Sequence, residues 1–142
     1  MKRRLALPCA IGLALALPAQ AEAGSLDECY ARAHTRLEVT PCLNSAKKIA
    51  TDAMLEEFVA VSRSLQELES VTGRAGAEAA LKQSQRDFER YLASHCQLVL
   101  RAFDSGTGAG QAQLACEVDL LRERAAQLKP LVPTQASTKA KE

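Results

Sequence analysis

Four cysteines, Cys29, Cys42, Cys96 and Cys116, follow an N-terminus with the form of an export leader, and they set the terms on which this chain can fold. The leader reads Met1-Lys2-Arg3-Arg4, an apolar run from Leu5 to Leu17, then Ala19-Gln20-Ala21: a basic start, a short apolar middle and a small-x-small cleavage site. That run is shorter than the roughly 20 residues that span a bilayer. A signal peptide over residues 1–21 is therefore expected, leaving a periplasmic or secreted chain with no membrane span. Cys9 lies inside the apolar run and not behind it, which argues against a lipid anchor. In an oxidising compartment the four remaining cysteines read as two disulfides, with three possible pairings. No Cys-x-x-Cys and no Cys/His set with metal-site spacing is present, so neither a metal nor another cofactor is expected.

The rest of the chain is patterned for helices. Met54, Phe58, Val61, Leu65 and Leu68 follow alternating spacings of four and three, as do Leu114, Val118, Leu121, Ala125 and Leu128. Between them Leu81, Ser84, Phe88, Tyr91 or Leu92, His95 and Val99 trace one face of a third helix. Thr72-Gly73-Arg74-Ala75-Gly76 and Ser105-Gly106-Thr107-Gly108-Ala109-Gly110 break these stripes where helix ends belong. Ser25-Leu26-Asp27-Glu28 has the form of a capping box and predicts a short first helix. The expected fold is all-α: a small antiparallel bundle of three to four helices stapled by two disulfides, covering residues 22–130. The tail from 131 to 142 has little to bury and is expected to be disordered.

Helical geometry narrows the pairing. Cys96 and Cys116 stand ten residues either side of position 106, so an antiparallel hairpin brings them to one level. Cys29 and Cys42 are harder to join, because thirteen residues of unbroken helix would separate them by about 20 Å at 1.5 Å per residue. A disulfide needs its Cα atoms within about 7 Å. The chain must turn between them, and two devices are available: Thr35-Arg36-Leu37-Glu38 as a second capping box, or Thr40-Pro41 as a cap followed by a first-turn proline.

Charge and motifs exclude several activities. The formal net charge of +1 becomes −2 once the leader, with Lys2, Arg3 and Arg4 and no acid, is removed. The remaining basic residues are dispersed among acids, so nucleic acid is not an expected partner. Ser45-Ala46-Lys47-Lys48 has the Ser-x-x-Lys spacing of penicillin-recognising enzymes but none of their companion motifs. "DSGTGAGQ" lacks the Gly-Lys-Ser/Thr ending of a phosphate loop. His95 beside Cys96 has the residue types of a nucleophile pair, but a disulfide would consume the thiol. Acidic pairs such as Glu56-Glu57, or Asp87 with Glu89, read as solvated helix faces, and His34 as a surface residue. No catalytic constellation is present, and a binding protein is expected over an enzyme.

Gln85, Phe88, Tyr91 and Cys96 match the Gln-x-x-aromatic-x-x-Tyr-x-x-x-x-Cys segment of the LprI-like lysozyme-inhibitor family. Cys29, Ala33, Thr35, Glu38 and Cys42, then Asp52-Ala53-x-Leu55, are also similar to that family, as is the end with Cys116, Arg124 and Leu128. The resemblance covers most of residues 27–130. Phe88 replaces the family's usual Trp, Leu92-Ala93 its Arg-Asp pair, and the Cys29–Cys42 interval is one residue longer than usual. The resemblance implies an exported inhibitor of lysozyme or another peptidoglycan hydrolase, of unspecified oligomeric state. Such an inhibitor would cover the substrate cleft and set a donor near the two carboxylates of glycoside hydrolysis. Placement beside the Gly-rich segment makes Arg101 the candidate donor, with Ser105 and Thr107 as supporting hydrogen-bonders. Other readings are an immunity-type protein against a different cell-wall hydrolase and a structural or chaperone-like envelope protein.

Overall fold

The structure, a computed structural model, describes residues 24–103, 106 and 108–131. The expected leader and all of the expected tail except Leu131 lie outside the described residues. Four α-helices follow one another, α1 (Ser25–Arg32), α2 (Arg36–Thr72), α3 (Ala77–Ala102) and α4 (Ala109–Leu128), and a 3-10 turn, Lys129–Leu131, ends the described chain. Among the described residues there is no strand, and no helix is long and apolar enough to cross a membrane.

Helix direction alternates along the chain. α2 and α4 lie side by side in the same direction, with Thr40 beside Gln111 and Lys47 paired to Glu117 at 2.5 Å. α3 runs back against both, carrying Gln85 to Arg124 and Met54. The main core gathers Ala50, Met54 and Val61 of α2, Leu81 of α3, and Val118, Leu121 and Leu128 of α4, with Phe58, Leu65, Phe88, Leu92 and Ala125 packed around it. A second cluster under α1 joins Cys29, Val39, Leu43 and Ala115. The periodic stripes thus become the seam of the bundle, with three exceptions. Leu68 is 52% exposed, Ser84 is exposed while its neighbour Gln85 is buried, and Leu92, not Tyr91, faces the core.

The breaks fall where glycine allows. Gly73 ends α2 at φ 67° and Gly76 precedes α3 at φ 119°, a left-handed backbone that only glycine adopts without strain. Both disulfides form as the hairpin argument requires, Cys96–Cys116 at a Cα separation of 5.6 Å and Cys29–Cys42 at 5.7 Å. The turn that joins the first pair of helices spans 33–35, and Thr35 is the N-cap residue of α2. The Thr40-Pro41 alternative is not used: Pro41 sits in the second turn of α2. There it forfeits the bond its missing N–H would make to the Leu37 carbonyl, on a residue open to water.

The capping boxes do not form as read. Ser25 is the first residue of α1, not its cap, and is fully buried. Its N–H donates to Asp119 Oδ1 at 3.0 Å and its hydroxyl to the Ala115 carbonyl at 3.2 Å, so α4 caps α1 from outside. In the second box the Thr35 hydroxyl makes no cap bond, and the Glu38 carboxylate accepts the N–H of His34 at 2.8 Å. α3 is also capped by another helix, since Glu69 Oε1 accepts the N–H groups of Gly76 and Glu78, each at 2.9 Å.

Candidate partner-binding site

Gln85, Phe88, Tyr91 and Arg124, which carried the resemblance, divide into an inner and an outer pair of roles. Gln85 is 7% exposed and lies on the α3 face that meets α2 and α4. Its amide nitrogen donates to Met54 Sδ at 3.4 Å and Glu89 Oε1 at 3.2 Å, and its oxygen accepts Arg124 Nε at 3.2 Å. The Arg124 guanidinium also reaches Ser84 Oγ at 3.0 Å and lies 5.4 Å from the Phe88 ring centre. Desolvation pulls Arg124 below its usual pKa. A buried amide with both ends satisfied is a lock between helices, and this cluster offers a partner little. Tyr91 is outside it, half exposed and stacked on His95 at 5.2 Å. Cys96 is fully buried in its disulfide, so no thiol is available to His95.

The opposite case is the end of the bundle where α1 and α3 finish and α2 and α4 begin. Arg101 stands exposed in the last turn of α3, with no ion pair or hydrogen bond among the described residues. The hairpin places it level with Gln111, and the Cys96–Cys116 bridge ties both helices one turn and a half further in. Ser105 and Thr107 lie outside the described residues. Phe103, which closes α3, is 57% exposed beside them in sequence.

On the α1–α2 side of the same end is a cleft of about 460 Å³, lined by Tyr30, Arg36, Leu37, Thr40, Gly108 and Gln111. Its walls are held by a short relay. Tyr30 Oη donates to Gln111 Oε1 at 2.8 Å, and Gln111 Nε2 donates to Thr40 Oγ1 at 3.3 Å and the Arg36 carbonyl at 3.5 Å. The Cys29–Cys42 bridge stands next to Tyr30 and two residues from Thr40, fixing α1 to α2 at the base of the cleft. Arg122 braces the other end of α1 with paired bonds of 2.9 and 3.0 Å to Glu28, and this contact holds the Glu28 carboxyl below its usual pKa. None of this relay was legible in the sequence, because it depends on α1 lying antiparallel to α4. Among the described residues no group of three or more His, Cys, Asp or Glu side chains could hold a metal ion.

The family model described as "Lysozyme inhibitor LprI" matches residues 27–128, which span all four helices. The chain belongs to the LprI lysozyme-inhibitor family. Membership implies an inhibitor with a peptidoglycan hydrolase as partner. No curated protein and no solved structure matches the chain. The two disulfides and the Gln85–Arg124 lock belong to the part of this LprI chain that builds the scaffold. Arg101 and Phe103 stand exposed at the loop end, outside that scaffold.

Proposed function

We propose that this exported protein inhibits a lysozyme-type peptidoglycan hydrolase by laying its loop end across the substrate cleft. The observation that carries this reading is the contrast between the two sets of arginines. Arg122 and Arg124 are committed to contacts between helices, whereas Arg101, exposed beside the glycine-rich connector, has no partner among the described residues. Glycoside hydrolysis runs on two carboxylates flanking the scissile bond. A guanidinium brought to them would form charge-assisted hydrogen bonds and block both the acid and the base. Ser105 and Thr107, in the connector, would supply neutral donors to the same cleft. Anchoring the base of the connector lowers the ordering cost of binding.

Arg101→Ala tests the assignment, since the side chain is exposed and makes no hydrogen bond or ion pair among the described residues. The expected result is an unchanged melting temperature with inhibition weakened by about tenfold or more, the range of a lost charge-assisted contact. A folded Arg101→Ala protein that inhibits as well as the parent removes Arg101 from the mechanism.

A further inference from the structure

The connector beside Arg101 is a projection, but the cleft on the other side of α4 is a concavity, and the two demand different features of a partner. We propose that the cleft lined by Tyr30, Arg36, Leu37, Thr40 and Gln111 is a second docking site, which receives a protruding acidic loop at the rim of the hydrolase's substrate groove. This rests on the inhibitor reading and adds to it a separate contact of known sign.

Four observations support the occupant. Arg36 is the only charged side chain lining the cleft, and its guanidinium has no partner among the described residues. Arg32 stands four residues from it and Arg101 at the same end of the bundle, so three arginines gather here in a chain whose exported portion is expected to be net negative. The nearest acid in the sequence, Glu38, already accepts the His34 N–H at 2.8 Å. Leu37 is 86% exposed and Tyr30 44% exposed, so the arginine is framed by apolar surface that a small anion would leave wet and that a loop with its own side chains would cover.

Preorganisation favours the same conclusion. The Tyr30–Gln111–Thr40 relay and the Cys29–Cys42 bridge hold three walls of the cleft before anything binds. A rigid receptor loses less side-chain freedom on association. Complementary charge at such a site speeds encounter and selects partners, and both effects fade with salt.

The test uses the oxidised, processed chain with c-type, g-type and i-type lysozymes in turn, measuring Kd at low and high salt. Arg36→Glu and Leu37→Asp are the variants. Both residues are exposed and neither side chain holds the fold, so melting should be unchanged. The expected result for Arg36→Glu is a loss of about a hundredfold in Kd, with the salt dependence of the parent reversed in sign or abolished. Leu37→Asp, which adds a repelling charge at the apolar rim, should cost about tenfold or more. A parent that binds a lysozyme while both variants bind it within twofold overturns the docking site and leaves the inhibitor reading intact. A parent that binds none of the lysozymes overturns both.

Discussion

Asp119 does at one residue what the sequence assigned to Ser25. Ser25 has the composition of an N-cap with Glu28 three residues on, yet Glu28 pairs with Arg122 and Ser25 goes into the core. The buried Ser25 N–H is satisfied by Asp119, and Gly24 keeps the approach open, since a Cβ there would lie 3.2 Å from the same carboxylate. A carboxylate at a helix N-terminus also complements the helix dipole. Asp119→Ala should therefore destabilise the protein by about 1–2 kcal/mol, the scale of a lost cap that strands a buried donor. Urea unfolding of the oxidised variant measures it, and a change under about 0.3 kcal/mol would show that water replaces the carboxylate without loss.

Helices and their junctions were the most legible level. The three-and-four spacing marks the buried side of α2, α3 and α4, and glycines mark the turns, because both signals act over a few residues. Cys96 with Cys116 was legible for the same reason, as a hairpin of known rise fixes which positions are level. What the sequence did not reveal depends on distance across helices. Tyr91 and Leu92 are adjacent and equally apolar, and only the placement of α4 decides that Leu92 is packed. Leu68 continues the stripe of α2 yet stands half exposed. The caps of α1 and α3 come from α4 and α2, so no local pattern announces them. At this scale the disulfides replace a core that few aromatics fill, each closing its loop at a stabilisation of about 3 kcal/mol in the chain-entropy model. Replacing Cys96 and Cys116 together by Ser should lower unfolding free energy by about that amount while retaining helical circular dichroism near neutral pH. A loss below about 1 kcal/mol would mean that the α3–α4 hairpin is held by its packing alone.

Taken whole, the molecule has two unlike ends. At one, α2 and α3 turn through a glycine pair capped by Glu69, and the arginine of the adjoining cluster is tied to Gln85, Ser84 and Phe88. At the other, both disulfides stand near the surface that remains unpaired, with Arg101 on one side of α4 and the Arg36 cleft on the other. On the proposed reading, bracing this end before a partner arrives lowers the ordering cost of binding. The most direct measurement is lysis of a peptidoglycan suspension by lysozyme, with the oxidised, processed protein titrated in and a reduced sample alongside. Dose-dependent inhibition that saturates at one inhibitor per enzyme and disappears on reduction is the predicted result. A folded, fully oxidised sample that leaves lysis untouched would contradict the account.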